Sequence, residues 1–172
     1  MYWSGDTRMS CISRVVGKVA STGYAHHIER LMLLGNFALM LEVVPQRVSD
    51  WFLEAFADAY PWVVVPNVVA MSQFADLGLI TSKPYIAGGA YVSRMGDDCR
   101  SCAYDPKRSA GPDACPLTTL YWSFVDRHGP LLARNPRTAT QVRAWEQRSA
   151  TARAEIRARA TEVRRAAEAG TL

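Results

Sequence analysis

A predominantly helical fold is what this sequence predicts, and three observations carry it. Met9, Ile12, Val15, Val16, Val19 and Ala20 recur at three- and four-residue steps, the signature of an amphipathic helix. The stretch from Tyr24 to Met40 is apolar almost all round in its second half, as a helix central to a core must be. From Thr138 to Gly170 runs an Ala- and Arg-rich segment of strong helix formers, with Glu155 and Arg159 four residues apart.

Taken in order, residues 8–41 are helical in character, broken by Ser21-Thr-Gly23. After Pro45, Ser49 or Asp50 is placed to cap a third helix through Trp51 to Tyr60, which Pro61 ends. Val63 to Val65 read as a strand by propensity, and Val68 to Phe74 as a short helix. Thr81 to Tyr91 is turn-rich, with Gly88-Gly89 supplying backbone freedom. A cysteine-rich loop follows, then a helix from Leu117 to Asp126 bearing Tyr121, Trp122 and Phe124. Arg127-His-Gly-Pro and Asn135-Pro-Arg read as a hinge. The last helix has a narrow apolar stripe, Val142, Trp145, Ala152, Ile156 and Val163, suited to packing on the surface of a larger domain. Its arginines read as a solvated face in preference to a nucleic-acid surface. No internal repeat is present.

With 172 residues and 49% apolar composition the chain can bury one good core and not two. Net charge is +4, with Arg far outnumbering Lys, and the planar guanidinium suits phosphate and buried carboxylate. No apolar run reaches the ~18 residues of a membrane span. The longest, Trp62 to Met71, is interrupted by Pro66 and Asn67. Met1-Tyr-Trp-Ser-Gly-Asp is polar and aromatic, unlike a targeting segment, so a soluble cytoplasmic protein is expected, without a membrane partner.

Four cysteines, Cys11, Cys99, Cys102 and Cys115, are all the chain contains. Cys99 and Cys102 form a C-x-x-C, whose two-residue gap lets both thiolates of a tight turn face one centre. Absence of a secretory signal argues against two disulfides. The trio reads as a metal or cluster site; spacing alone leaves zinc and iron–sulfur both open. Pro116 directly after Cys115 leans toward iron–sulfur. Cys11 by itself sits in an ordinary helical pattern. Two further features carry chemistry. His26 and His27 stand in tandem at a helix start, where the first turn can face a pocket. Asn36 and Asn67 lie inside apolar runs, and each needs a hydrogen-bond partner if buried.

Several long blocks in the same order bring a family into view: Gly5-Asp-Thr-Arg-Met-Ser-Cys, Tyr24-Ala-His-His-Ile-Glu-Arg-Leu-Met, Asp58-Ala-Tyr-Pro-Trp-Val-Val-Val-Pro-Asn, Lys83-Pro-Tyr-Ile-Ala-Gly-Gly-Ala-Tyr, Cys99-Arg-Ser-Cys-Ala-Tyr-Asp-Pro and Asp113-Ala-Cys-Pro-Leu-Thr-Thr-Leu-Tyr-Trp. Together they resemble the bacterial iron–sulfur cryptochromes and photolyases of the prokaryotic (6-4) type, over nearly the whole chain and weakening after Arg137. The resemblance implies an all-α fold, the carboxy-terminal part of a helical FAD-binding domain, with residues 1–135 as the partial flavin and iron–sulfur domain and 136–172 as a terminal helix. An amino-terminal antenna domain, present in the family, is expected to be absent, making the chain a fragment. It further implies FAD and a 4Fe–4S cluster held by Cys11, Cys99, Cys102 and Cys115.

Residue by residue, the resemblance matches Arg8 and Asp58 to an ion pair beside the flavin ring, with Asn36 and Asn67 as further cofactor contacts. It makes His27, assisted by His26, the proton donor at a (6-4) lesion, since an imidazole changes charge near neutral pH. Val64 stands where some members carry a polar residue near flavin N5. Trp3, Trp51 and Tyr60 match aromatic positions used for flavin photoreduction, Phe52 replacing a Tyr of some members. Lys83, Tyr85, Tyr91 and Arg94 are the expected phosphate contacts to UV-damaged DNA. The activity implied is light-dependent repair by an enzyme monomeric when complete. The alternatives are a blue-light signalling cryptochrome, and an inactive truncated product or zinc-binding helical module.

Overall fold

A computed structural model describes residues 1–76 and 78–172, and among them eight α-helices and no strand beyond an isolated bridge between Asp105 and Ala114. The all-α expectation holds. The chain forms two compact units, Met1–Ile86 and Ala87–Leu172. One core was expected from length, but apolar residues are spread along the chain densely enough for each half to bury its own. Ile12, Val15, Leu34, Phe37 and Met40 are fully buried in the first, Leu117, Leu120, Val125 and Val163 in the second. No helix among the described residues is long and apolar enough to cross a membrane.

In the first unit α1 spans Ser10–Thr22 and buries Cys11, Ile12, Val15, Val16 and Val19. Gly23 closes it in the left-handed region at φ 63°, its N–H donating to Val19 O at 2.8 Å, as the predicted break requires. The next helix widens into a π-helical segment, Glu29–Gly35, and returns to α geometry as α2, Asn36–Met40. Helix α3 is Pro45–Ala55. It starts earlier than predicted because Pro45 occupies the first turn, where its missing N–H costs nothing. It ends before Tyr60 because the Ala57 N–H leaves the helix to donate to Gly23 O at 2.9 Å.

Pro61, expected as a terminator, instead starts α4, Pro61–Val65, so the valines predicted as a strand are helical. Pro66 cannot donate, and from there the chain continues as a second π-helical segment, Pro66–Ser72. One turn back the Asn67 side chain donates, Nδ2 to Val63 O at 2.7 Å.

The second unit opens with α5, Gly89–Met95, and the cysteine loop. Helix α6, Pro116–Leu132, runs through the Arg127-to-Pro130 segment predicted as a hinge. Pro130 sits near its end, where few ladder bonds are lost. The predicted single terminal helix is two, α7 Pro136–Glu146 and α8 Ala150–Ala169. Asn135 and Ser149 each cap the helix they precede, accepting from Arg137 N and Ala152 N. Both helices pack on α6, and one carboxylate joins the two of them. Asp126 accepts from Trp145 Nε1 at 2.8 Å and from Arg157 Nε at 2.6 Å.

Candidate functional site

A half-open pocket of about 150 Å³ lies in the first unit. One wall is the start of the π-helical helix, with His27, Arg30 and Leu31; the other is α4 and its π-helical continuation, with Val64, Asn67 and Val68; Phe52 of α3 reaches in between. The lining is mainly apolar, edged by one imidazole and one guanidinium.

The two histidines play different parts. Ile28 N–H donates to His26 Nδ1 at 3.2 Å, and His26 N–H donates to Glu29 Oε2 at 3.0 Å. This is a capping box with His in the usual Ser or Thr place. It commits the Nδ1 lone pair and leaves the neutral-ring proton on Nε2. His27, next in line and exposed, lines the pocket. Glu29 also receives Lys18 Nζ at 2.9 Å and Arg14 Nη1 at 3.0 Å. Burial alone would raise its pKa, but the hydrogen bonds from Lys18, the His26 N–H and Arg14 prevail and hold it at about 2.

Arg30 is the best-anchored cation of the pocket. Its Nη1 and Nη2 donate to Asp58 Oδ1 and Oδ2 at 3.0 and 2.9 Å, and its Nε to Ala25 O at 2.7 Å. The guanidinium carbon also lies 4.2 Å from the Phe56 ring centre. The Arg30 hydrogen bonds, against a smaller opposing effect of burial, keep the Asp58 carboxyl below the usual carboxylate range. Both Asp58 oxygens are thus engaged by Arg30, where sequence reasoning had paired Asp58 with Arg8. Arg8 is exposed ahead of α1. The reason is helical geometry: the π-helical turn brings Arg30 onto the pocket side. Asn36 is wholly buried in α2 and is not part of the lining, whereas Asn67 is exposed and lines the pocket.

Aromatic rings connect the surface to this pocket. Trp3, 64% exposed, lies edge-on to Trp51, 7% exposed, with ring centres 6.3 Å apart. Trp51 in turn lies 5.2 Å from Phe52, a pocket residue, and 5.7 Å from Phe56. Tyr60 stacks instead on Trp62 at 4.9 Å, both exposed. Sequence reasoning missed Glu29, Arg30 and Phe56. For Glu29 the signal was present, an acid three residues after a helix-start side chain; for the other two no local pattern exists.

The second unit gathers three thiols. Cys99 lies on a single 3₁₀ turn, Asp98–Arg100, with Cys102 just beyond it. Cys115 caps α6, and its pKa is raised by burial, while N–H groups of Thr118 and Leu117 pull it down. Cys99 is pushed up to about 11 by burial and by the charges of Cys115, Cys102 and Asp98. No disulfide joins any of the four cysteines. The loop is braced where Gly89 N–H donates to Thr118 Oγ1 at 2.9 Å and Thr118 Oγ1 to Pro106 O at 2.8 Å.

Cys11 is buried in α1 of the first unit. Among the described residues no three His, Cys, Asp or Glu side chains converge on a point that would hold one metal ion. Thiolates are soft donors that suit zinc and iron–sulfur alike. The pocket fits FAD only in part. Ligand pockets run to about 300–1,000 Å³, so this one has room for no more than a ring edge. The expected phosphate contacts fall in both units. The Lys83 ammonium lies 5.5 Å from the Tyr85 ring centre in the first, and Tyr91 and Arg94 are on α5 in the second.

Fold and sites describe a helical protein with a cation-edged apolar pocket and a three-thiol loop. Comparison gives that class a particular relative: the chain is 47% identical over 159 residues to the (6-4) photolyase of Agrobacterium fabrum, across 92% of this chain and 31% of that protein. The resemblance to the bacterial (6-4) photolyase type therefore holds for the chain, which spans about a third of that relative's length. It is also 44% identical over 64 residues, 37% of this chain, to an uncharacterised protein of Acanthamoeba polyphaga mimivirus, of which it covers 52%. No family model matches the chain.

Proposed function

We propose that this chain supplies the flavin- and lesion-facing helices and the cluster cysteines of a light-driven DNA-repair protein acting on pyrimidine (6-4) photoproducts. The observation that carries the reading is the 47% identity to a (6-4) photolyase. The placement of His27 and Arg30 at one pocket, with Asp58 anchoring Arg30, supports it. FAD, when bound, supplies light-driven transfer of one electron to the lesion and its recovery afterwards. Of this chain's residues, Arg30, held by Asp58, would offer a permanent positive charge at the pocket edge that favours an electron-rich reduced ring. Val64 and Phe52 exclude water from that side. His27 holds the proton that the lesion takes up. Cys11, Cys99, Cys102 and Cys115 would hold the 4Fe–4S cluster, and UV-damaged DNA is the partner.

The test is loss of (6-4) photoproduct from a UV-irradiated oligonucleotide, in blue light and in darkness, with the complete protein. Light-dependent loss is expected, and His27→Ala lowers it by about 10²-fold or more while flavin photoreduction persists. Photoreduction with no lesion loss would refute repair and leave signalling. Iron, acid-labile sulfide and flavin are measured in the same material. Zinc in place of iron would remove the cluster.

A further inference from the structure

The two walls of the first-unit pocket meet at one joint. One is the π-helical segment Glu29–Gly35, the other the segment Pro66–Ser72. Gly35 is buried where they cross, and the absence of its side chain is what allows contact. A Cβ built on Gly35 would overlap Ser72 Oγ and stand 3.2 Å from Ser72 Cβ. Gln73, 4% exposed, fastens the crossing: its Nε2 donates to Gly35 O at 3.0 Å and to Ser72 Oγ at 2.9 Å. Ser72 itself lines the pocket, as do Leu31 from one segment and Val68 from the other. The spacing at the crossing therefore governs the spacing of the walls a short way along the same two segments, because packed helices shift as rigid pieces.

We propose that Gly35 is a specificity-determining residue of this pocket: by holding the walls at glycine distance it sets a slot narrow enough for a planar ring. This rests on the flavin reading above and deepens it. A methyl group at position 35 pushes the Pro66–Ser72 wall outward, and the ring loses contact on one face. Removing the Ser72 side chain at the same time relieves the clash across the joint, leaving only the 3.1 Å approach to Arg30 O within the same helix. A role in folding alone would not make ring affinity follow the sum of the two side-chain volumes.

The experiment titrates FAD into four chains, followed by quenching of flavin fluorescence. They are the unaltered chain, Gly35→Ala, Gly35→Ala with Ser72→Gly, and Gly17→Ala, where a Cβ meets nothing within 4 Å. Gly35→Ala is expected to weaken binding about tenfold, the double variant to return within about threefold, and Gly17→Ala to match the unaltered chain. Equal affinity for Gly35→Ala, or a double variant no better than the single, overturns the proposal. If Gly35→Ala does not fold, recovery of fold and affinity in the double variant sustains it, and failure to recover overturns it. If the unaltered chain shows no saturable binding, this chain by itself does not hold flavin, and the flavin reading rests on the complete protein. The joint is then judged from crystal structures, by whether the Leu31-to-Val68 separation widens in Gly35→Ala and returns in the double variant. An unchanged separation overturns it.

Discussion

Single side chains in this protein act as junctions, and their charge states follow from what they join. Glu29 ties α1 to the start of the pocket helix through Lys18, Arg14 and its own capping box. Its folded-state pKa of about 2 lies below the ordinary 4.5, so the stabilisation is complete above 4.5 and is lost as pH falls toward 2. Glu29→Gln is therefore expected to lower the urea midpoint at pH 7, with the difference between the two chains shrinking steadily from pH 4.5 to 2. A difference independent of pH would show that Glu29 acts through packing alone. Asp126 plays the same part in the second unit, for Trp145 and Arg157. Asp126→Ala leaves the part-buried indole N–H of Trp145 without its acceptor and should cost about 1–3 kcal/mol. The measurement is urea unfolding followed by tryptophan fluorescence.

At the scale of elements, the cysteine loop depends on a close approach that only glycine permits. A Cβ on Gly89 would stand 2.8 Å from Cys115 Sγ, 2.8 Å from Thr118 Oγ1 and 3.1 Å from Pro106 Cα. Gly89→Ala should thus move α5 away from the loop, costing about 1–3 kcal/mol, and raise the rate at which a disulfide reagent titrates Cys115. An unchanged rate would mean that the loop holds its shape without α5. The aromatic path is also a property of elements, since both Tyr2 and Trp3 of the chain start meet α3 at Trp51, at 5.1 and 6.3 Å between ring centres. If this path carries electrons to the pocket, Trp51→Phe slows photoreduction of bound flavin at least tenfold with little change in flavin content, as transient absorption would read. Rates equal to those of the unaltered protein would exclude Trp51 from the route.

For the whole molecule the informative fact is the partition of the thiols, Cys11 in one compact unit and Cys99, Cys102 and Cys115 in the other. If Cys11 is one of the proposed cluster ligands, the iron held by the chain depends on it. The prediction is lower iron and acid-labile sulfide in Cys11→Ala than in the unaltered chain. Full iron in Cys11→Ala would show that the trio binds without it.

Much of the fold was legible in the residues, and the failures share a cause. The core-facing period of α1 and its Gly23 stop are local patterns and could be read directly, whereas Asn135, read as part of a hinge, caps α7. Val63 to Val65 were misjudged because β-propensity is weak beside the packing of α4 on its neighbours. The break between α7 and α8 depends on Ser149 finding Ala152 N, a choice that strong helix formers on both sides conceal. Among the site residues, His27 and the cysteines were visible as residue types with meaningful spacing. Arg30 and Phe56 were not, because a guanidinium between a carboxylate and a ring 26 residues along the chain leaves no periodic trace.

The sequence by itself determined that the chain is helical, where its thiols lie, and which relative it resembles, because period, spacing and identity are properties of neighbours along a chain. Only the tertiary structure decided that Arg30 holds Asp58, that His26 caps while His27 lines the pocket, and that Gly35 brings two π-helical segments into contact. Those outcomes depend on which side chains meet across segments distant in sequence, and that is settled by packing, where a shift of one helical turn changes every partner.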